Sequence, residues 1–277
     1  MNLTAENYYS PEASKAYFSV SQIKAFLDCE GRAVAEMNGE YERAKSPALL
    51  VGGYIDAYFS GELEAFKAAN PEIFTKKGEL RADYAKAEEI IARIEREPLA
   101  DAMLSGEKQK IVTGTIAGYP FKAKLDCYLN RELVREIGAQ FDGMGSLLME
   151  HGAIVDLKIM KDFEPMYKPE EGRLSFIEYW GYDLQMAVYQ ELMRQTVGRQ
   201  LPCYILAASK QDPPDITLVQ IPQDVMDYHI ERLQKMIPGM ADVKEGIAAP
   251  YRCGKCAYCR QTKRLEAASI LGTETYA

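Results

Sequence analysis

Residues 152–160 read GAIVDLKIM, a short apolar run interrupted by Asp156 and Lys158. Side chains of an extended segment alternate between faces, so a carboxylate and an ammonium two residues apart stand on the same face. A partly exposed ion pair is the plain explanation. The sharper one is half of a metal-dependent nuclease site. The preceding strand, AKLDCYLN, carries Asp126. Two adjacent strands that each present a carboxylate can hold one or two divalent cations through oxygen. Phosphodiester hydrolysis needs a metal to activate water, a Lewis acid at the phosphate and a cation nearby, and Lys158 would orient the water or steady the phosphate.

The flanking segments set the expected fold. A helix is predicted over 19–38, with Ser19 or Ser21 as N-cap, and ALLVGGYIDAYFSGELEAFKAA is a second helical region. Residues 81–105 form a charged amphipathic helix interrupted at Pro98, expected to lie mostly at the surface. KQKIVTGTIAGYPFKAKLDCYLN reads as two strands joined around Gly118, Tyr119 and Pro120. Residues 131–150 fit a helix, an irregular insertion or a further hairpin. LSFIEYWGYDLQMAVYQELMRQTVG is expected as one long helix ending near Gly198, followed by strands PCYILAAS and ITLVQIP, a Pro-Pro turn between them, and a late helix. The order predicts an α/β fold, a mixed central β-sheet flanked by helices. One domain over 1–277 is the simplest division, with a catalytic core over 108–220 and a cysteine cluster at 250–260.

Composition narrows the classes. A chain of 277 residues, 47% hydrophobic, can bury a sizeable core, and no run approaches the roughly 20 apolar residues of a membrane span. The first residues, MNLTAENYYSPEASKAYFSV, lack the pattern of a signal peptide, so a cytoplasmic protein without membrane contact is expected. The net charge of −8 argues against a surface coated in basic residues but allows a local basic groove. Lys122 and Lys124 alternate with Asp126 on one strand face and are candidates for DNA phosphates, with solvated lysines the alternative. Tyr179, Trp180 and Tyr182 are candidates for stacking on bases, or are core. No Gly-rich phosphate loop is present, so ATP hydrolysis is not expected.

The helix after the Asp-x-Lys strand places Gln185 and Tyr189 at i and i+4 on one face. The series Asp126, Asp156-Leu157-Lys158, Gln185…Tyr189 resembles the PD-(D/E)xK nuclease superfamily, a restriction-endonuclease-like core, and its RecB-type branch, where D, (D/E)xK and QxxxY occur in that order. SVSQIKAFLDC looks like the helix that opens many RecB-type nucleases. VGGYIDAYFSG looks like their next helix, with Asp56 at the position where the family usually carries His. Aspartate suits Mg²⁺ or Mn²⁺ at least as well, since hard cations prefer oxygen; a solvated helix residue is the alternative. The thirty-residue separation of Asp126 and Asp156 exceeds that of many relatives and implies an excursion at 131–150.

The resemblance implies an exodeoxyribonuclease VIII-like phage exonuclease. It would act on linear DNA ends in recombination, with Asp56, Asp126, Asp156 and the Leu157 carbonyl as metal ligands. A single-strand annealing recombinase would be its partner, and ring-forming relatives imply a homo-oligomer. The rivals are a CRISPR-adaptation or repair nuclease and a catalytically silent DNA-binding or scaffold protein.

Six cysteines lie at 29, 127, 203, 253, 256 and 259. YRCGKCAYCR sets Cys253, Cys256 and Cys259 with two residues between successive cysteines, a spacing that suits zinc or an iron–sulfur cluster. A fourth ligand is needed. Iron–sulfur members of the RecB-type branch use one early and three late cysteines, which implies Cys29 and a structural [4Fe–4S] cluster joining the N- and C-terminal segments. A zinc-stabilised interaction module remains the alternative. Cys127 and Cys203 read as buried core thiols, and His151 and His229 as structural.

Overall fold

Asp156 and Lys158 lie on the middle strand of the central sheet. The computed structural model describes residues 1–43, 47–142, 144 and 151–264, and of residues 47 and 48 the backbone alone. In chain order the helices and strands are α1 (Pro11–Ala16), α2 (Val20–Asp28), α3 (Glu30–Met37), α4 (Pro47–Ser60), α5 (Leu63–Ala69), α6 (Ala82–Glu95), α7 (Pro98–Met103), β1 (Glu107–Ile116), β2 (Tyr119–Leu129) and α8 (Arg131–Gln140). Then follow β3 (Ala153–Met160), β4 (Met166–Lys168), β5 (Gly172–Leu174), α9 (Phe176–Trp180), α10 (Tyr182–Val197), β6 (Cys203–Ser209), β7 (Ile216–Gln220), α11 (Gln223–Lys244) and α12 (Ala257–Gln261). No helix among the described residues is long and apolar enough to cross a membrane.

Among the described residues, five strands form a mixed sheet in the order β1-β2-β3-β6-β7, flanked by helices as the sequence pattern predicts. β2 and β3 run antiparallel, with Cys127 opposite Val155 and Tyr128 opposite Ile154. One step further in that register stand Asp126 and Asp156. β3 and β6 run parallel, and α9 and α10 supply the crossover that parallel strands require. β7 returns antiparallel to β6 and closes the sheet's edge.

The chain divides into two compact units, residues 1–44, 115–122 and 231–277 in one and 45–114 and 123–230 in the other. In the larger unit one face of the sheet, carrying Cys127, Leu129, Val155, Leu157, Tyr204 and Leu206, joins Val51, Tyr54 and Ile55 of α4 and Ile90, Ile91 and Ile94 of α6 in a single core. Each such aliphatic side chain contributes roughly 1.5–3 kcal/mol when fully buried. The strand parity that buries Val155 and Leu157 here sends Asp156 and Lys158 to the opposite face. In the smaller unit, Phe18 pairs with Phe121 through a β-bridge and stacks on its ring at 5.5 Å.

Several boundaries differ from expectation. The helix predicted over 19–38 is two helices: Ser19 caps α2 by accepting from the Gln22 N–H, and Cys29, at φ −171° and ψ 106°, is extended between α2 and α3. α6 is the expected amphipathic surface helix, with Ile90 and Ile94 fully buried on its inner face, and Pro98 starts α7 rather than merely breaking α6. The β1–β2 turn falls on Ala117 and Gly118, both at positive φ. The long helix before Gly198 is broken at Gly181, whose left-handed backbone (φ 62°) ends α9 and starts α10. In the ambiguous stretch 131–150, residues 131–140 are helix α8, capped by Asn130, and 145–150 lie outside the described residues.

Candidate active site

β3 presents Asp156 with no exposed surface and Lys158 half-buried beside it. Lys158 Nζ forms an ion pair with Asp156 Oδ2, and no other group among the described residues bonds to that oxygen. The other oxygen, Oδ1, accepts from Gln185 Nε2 at 2.6 Å. Gln185 and Tyr189 are half-buried while Met186, Ala187 and Val188 between them are buried, so this face of α10 is the polar one. From β2, Asp126 Oδ2 accepts the Leu157 N–H at 3.0 Å, which fixes one carboxylate against the strand that carries the other.

Asp56 approaches from α4. Its carboxylate accepts from Gln109 Nε2, 3.2 Å from Oδ1 and 3.5 Å from Oδ2. Burial pushes the Asp56 carboxyl above its ordinary range, opposed by the charges of Lys124 and Lys158. Burial, then the charge of Asp156, raises Asp126 well above the usual value. Burial opposes the charge on Lys158, yet Asp156 and Asp126 together hold its ammonium above the ordinary lysine value. Three carboxylates with too little water, and the ammonium groups of Lys158 and Lys124 acting on them, form an electrostatic site that a divalent cation would relieve, and an all-oxygen donor set fits Mg²⁺ or Mn²⁺.

The sequence-predicted residues Asp56, Asp126, Asp156, Leu157, Lys158, Gln185 and Tyr189 all fall in the larger unit, and Lys124 acts electrostatically on Asp56 there. Tyr182 forms part of the wall: its hydroxyl donates to Met160 Sδ at 3.5 Å, and Lys158 Nζ lies 5.0 Å from its ring centre. Lys122 is a correction. It is 3% exposed in the smaller unit, donates to the Tyr8 carbonyl and sits 4.7 Å from the centre of the Tyr8 ring. Strand parity groups Lys122 with Lys124, but the unit to which residues 115–122 belong covers it.

Two partners were not visible in the sequence. Gln109 on β1 has no patterned spacing to Asp56. His229 of α11 pairs with the buried Asp183 of α10 at 2.9 Å, one residue from Tyr182 and two from Gln185. A weak signal for that pair is an acidic residue at the start of a helix whose neighbours are apolar.

In the smaller unit the break at Cys29 turns its thiol toward the C-terminal cysteines. The four Sγ atoms of Cys29, Cys253, Cys256 and Cys259 all lie within 4.8 Å of one another, which makes them a group able to hold a metal ion. Gly31 permits the approach of this segment: a Cβ there would meet Arg252 Cγ at 3.0 Å, and its N–H donates to the Tyr251 carbonyl. Burial works against ionisation of Cys253, but N–H groups of Cys256 and Lys255 bring its thiol down to about 6, while burial and hydrogen bonds to the other thiols push Cys259 up to about 11. Backbone N–H groups of Cys253, Cys256 and Cys259 each point at a cysteine sulfur, at 3.5, 3.3 and 3.4 Å. Four convergent thiols with donors aimed at sulfur fit a Zn²⁺ ion or an iron–sulfur cluster. Cys127 and Cys203 are fully buried core thiols, as expected.

The sheet and the carboxylate–lysine pair on its middle strand define the PD-(D/E)xK nuclease class. The chain belongs to the family described as a PDDEXK-like domain of unknown function (DUF3799), whose model matches residues 19–137 and 134–262. It is also similar to a crystal structure from Eubacterium rectale described as a "Putative exonuclease", with 41% identity, coverage of 98% of this chain and 97% of that one, and a TM-score of 0.85. Among curated proteins none matches.

Proposed function

We propose that this chain is a divalent-metal-dependent deoxyribonuclease that degrades linear DNA from its ends, in phage or prophage recombination. The observation that carries the reading is Asp156, a carboxylate with no exposed surface, gripped by Gln185 on one oxygen and Lys158 on the other. A charge so desolvated is costly unless it does work, and Asp126 alongside makes it costlier. The exonuclease description of the neighbour supports action at ends.

Asp56, Asp126 and Asp156, with the Leu157 carbonyl, hold Mg²⁺ or Mn²⁺. A cation there would supply Lewis-acid polarisation of the phosphodiester and acidify water. Lys158 steadies the negative charge that builds on the scissile phosphate, Gln185 holds the Asp156 carboxylate in place, and Tyr189 arranges the DNA backbone, with Lys124 close enough to contribute positive charge. The four cysteines hold a structural [4Fe–4S] cluster, zinc being the alternative.

The test is cleavage of end-labelled linear DNA by anaerobically purified protein, with Mg²⁺, Mn²⁺ or EDTA, beside Lys158→Ala. Metal-dependent shortening from one labelled end, lost in the variant, supports the reading. Absence of cleavage by folded, metal-loaded protein on both single- and double-stranded ends would move the assignment to a binding or scaffold role.

A further inference from the structure

We propose that Gln109 is a positioning residue that holds the Asp56 carboxylate in place for the cation; the inference rests on the nuclease reading above and adds a member to its site. Gln109 lies in β1, yet its φ is +50°, in the left-handed region that residues with a Cβ rarely occupy. Backbone held in that region persists where the surroundings over-determine it, and it gathers at functional sites. Glycine would occupy this conformation without strain. A glutamine stands there instead, and its amide reaches Asp56, donating across both carboxylate oxygens. The kink in β1 therefore has a chemical result, because a regular strand would aim this side chain elsewhere.

The choice of an amide matters. Asp56 already feels Lys124 and Lys158, and a third cation beside it would neutralise the charge that attracts a metal. A carboxylate oxygen only accepts hydrogen bonds, so the glutamine presents its NH₂ and fixes the carboxylate without adding charge. Gln185 does the same for Asp156 from α10. Two glutamines, one on β1 and one on α10, thus each donate to a different carboxylate of the same site. Partners of this kind set ligand orientation and commonly contribute 10–100-fold to metal affinity.

The test is Mn²⁺ binding to the full chain, followed by electron paramagnetic resonance, together with DNA cleavage. The proteins are wild type, Gln109→Ala, Gln109→Gly, Asp56→Asn and the double variant Gln109→Ala/Asp56→Asn. Both Gln109 variants should lose about tenfold in Mn²⁺ affinity. Gln109→Gly, which relieves the backbone, should melt no lower than wild type, so that loss of affinity is not loss of fold. In the Asp56→Asn background the Gln109→Ala change should cost nothing further. Wild-type affinity in folded Gln109→Gly, or the same tenfold loss with and without Asp56, would overturn the inference while leaving the nuclease reading intact. Wild-type protein that binds no Mn²⁺ and cuts no DNA would overturn both.

Discussion

Gln185 Nε2 lies 2.6 Å from Asp156 Oδ1, one turn of α10 before Tyr189 and across from the Lys158 ion pair. The hydrogen bond fixes the carboxylate's rotation, and with it the direction of the second oxygen. Gln185→Ala removes the donor but no core packing, because the side chain is half-buried. Cleavage should fall roughly 10–100-fold while the melting temperature stays near wild type. Gln185→Glu should be worse, because it sets a second carboxylate against a buried one. Parallel measurements of single-turnover cleavage and thermal melting check both; unchanged cleavage in Gln185→Ala would remove this residue from the site.

Asp126→Asn separates stability from activity. The Asp126 carboxylate is held against its preference for water by burial and by the charge of Asp156. The asparagine oxygen can still accept the Leu157 N–H that Asp126 Oδ2 now accepts. In EDTA the variant should melt higher than wild type, by the few degrees that about 1 kcal/mol represents in a chain of this size. With Mn²⁺ the order should reverse, because only the wild type gains stability from binding. Cleavage should be lost. A variant that melts lower than wild type in EDTA would mean that Asp126 is a structural ion-pair member.

Replacing Cys256 by serine removes one of four converging thiols and leaves the other three buried with no fourth partner. Protein purified anaerobically should carry iron, with visible absorption, or one equivalent of zinc without it. The variant should lose that metal and melt earlier, since a ligated site closing residues 29 to 259 contributes directly to folding. Elemental analysis beside the absorption spectrum decides between iron and zinc. Metal-free wild type with unchanged stability would remove the cluster.

The sheet and the placement of most candidate-site residues were legible because they rest on short-range rules. Alternation placed Asp156 and Lys158 on one face, helical spacing paired Gln185 with Tyr189, and the cysteine triplet announced its own proximity. The breaks were harder to read. Cys29 interrupts a segment whose apolar spacing continues through it, and Gly181 sits in a run that reads as one helix until its positive φ is seen. Lys122 failed for a different reason: alternation gives the face of a strand, but only the tertiary packing shows that Tyr8 covers that end of β2. Gln109 had no signal, because nothing in EKQKIV marks a strand residue with left-handed backbone.

Lys244 supplies a pH test that does not involve the proposed catalytic residues. Its ammonium donates to the Tyr17 carbonyl at 2.8 Å and to Gln22 Oε1 at 2.9 Å, and lies 4.0 Å from the centre of the Phe18 ring. Burial, with the nearby charge of Lys122, lowers its pKa from 10.5 to about 8, against a weaker opposing pull from Glu245. The folded amine therefore sheds its proton more readily than the unfolded one. Between about pH 8 and 10.5 the unfolded chain binds more protons, so stability rises with pH there, and falling pH through 8 removes the gain. Lys244→Met should flatten that rise relative to wild type, by on the order of 1 kcal/mol after allowing for the partial exposure of the group. The variant should also be less stable overall, because the Tyr17 carbonyl and Gln22 lose a donor. Denaturant melts at pH 7.5, 8.5 and 9.5 for both proteins give the two slopes, and parallel slopes would show that Lys244 is solvated like a surface lysine.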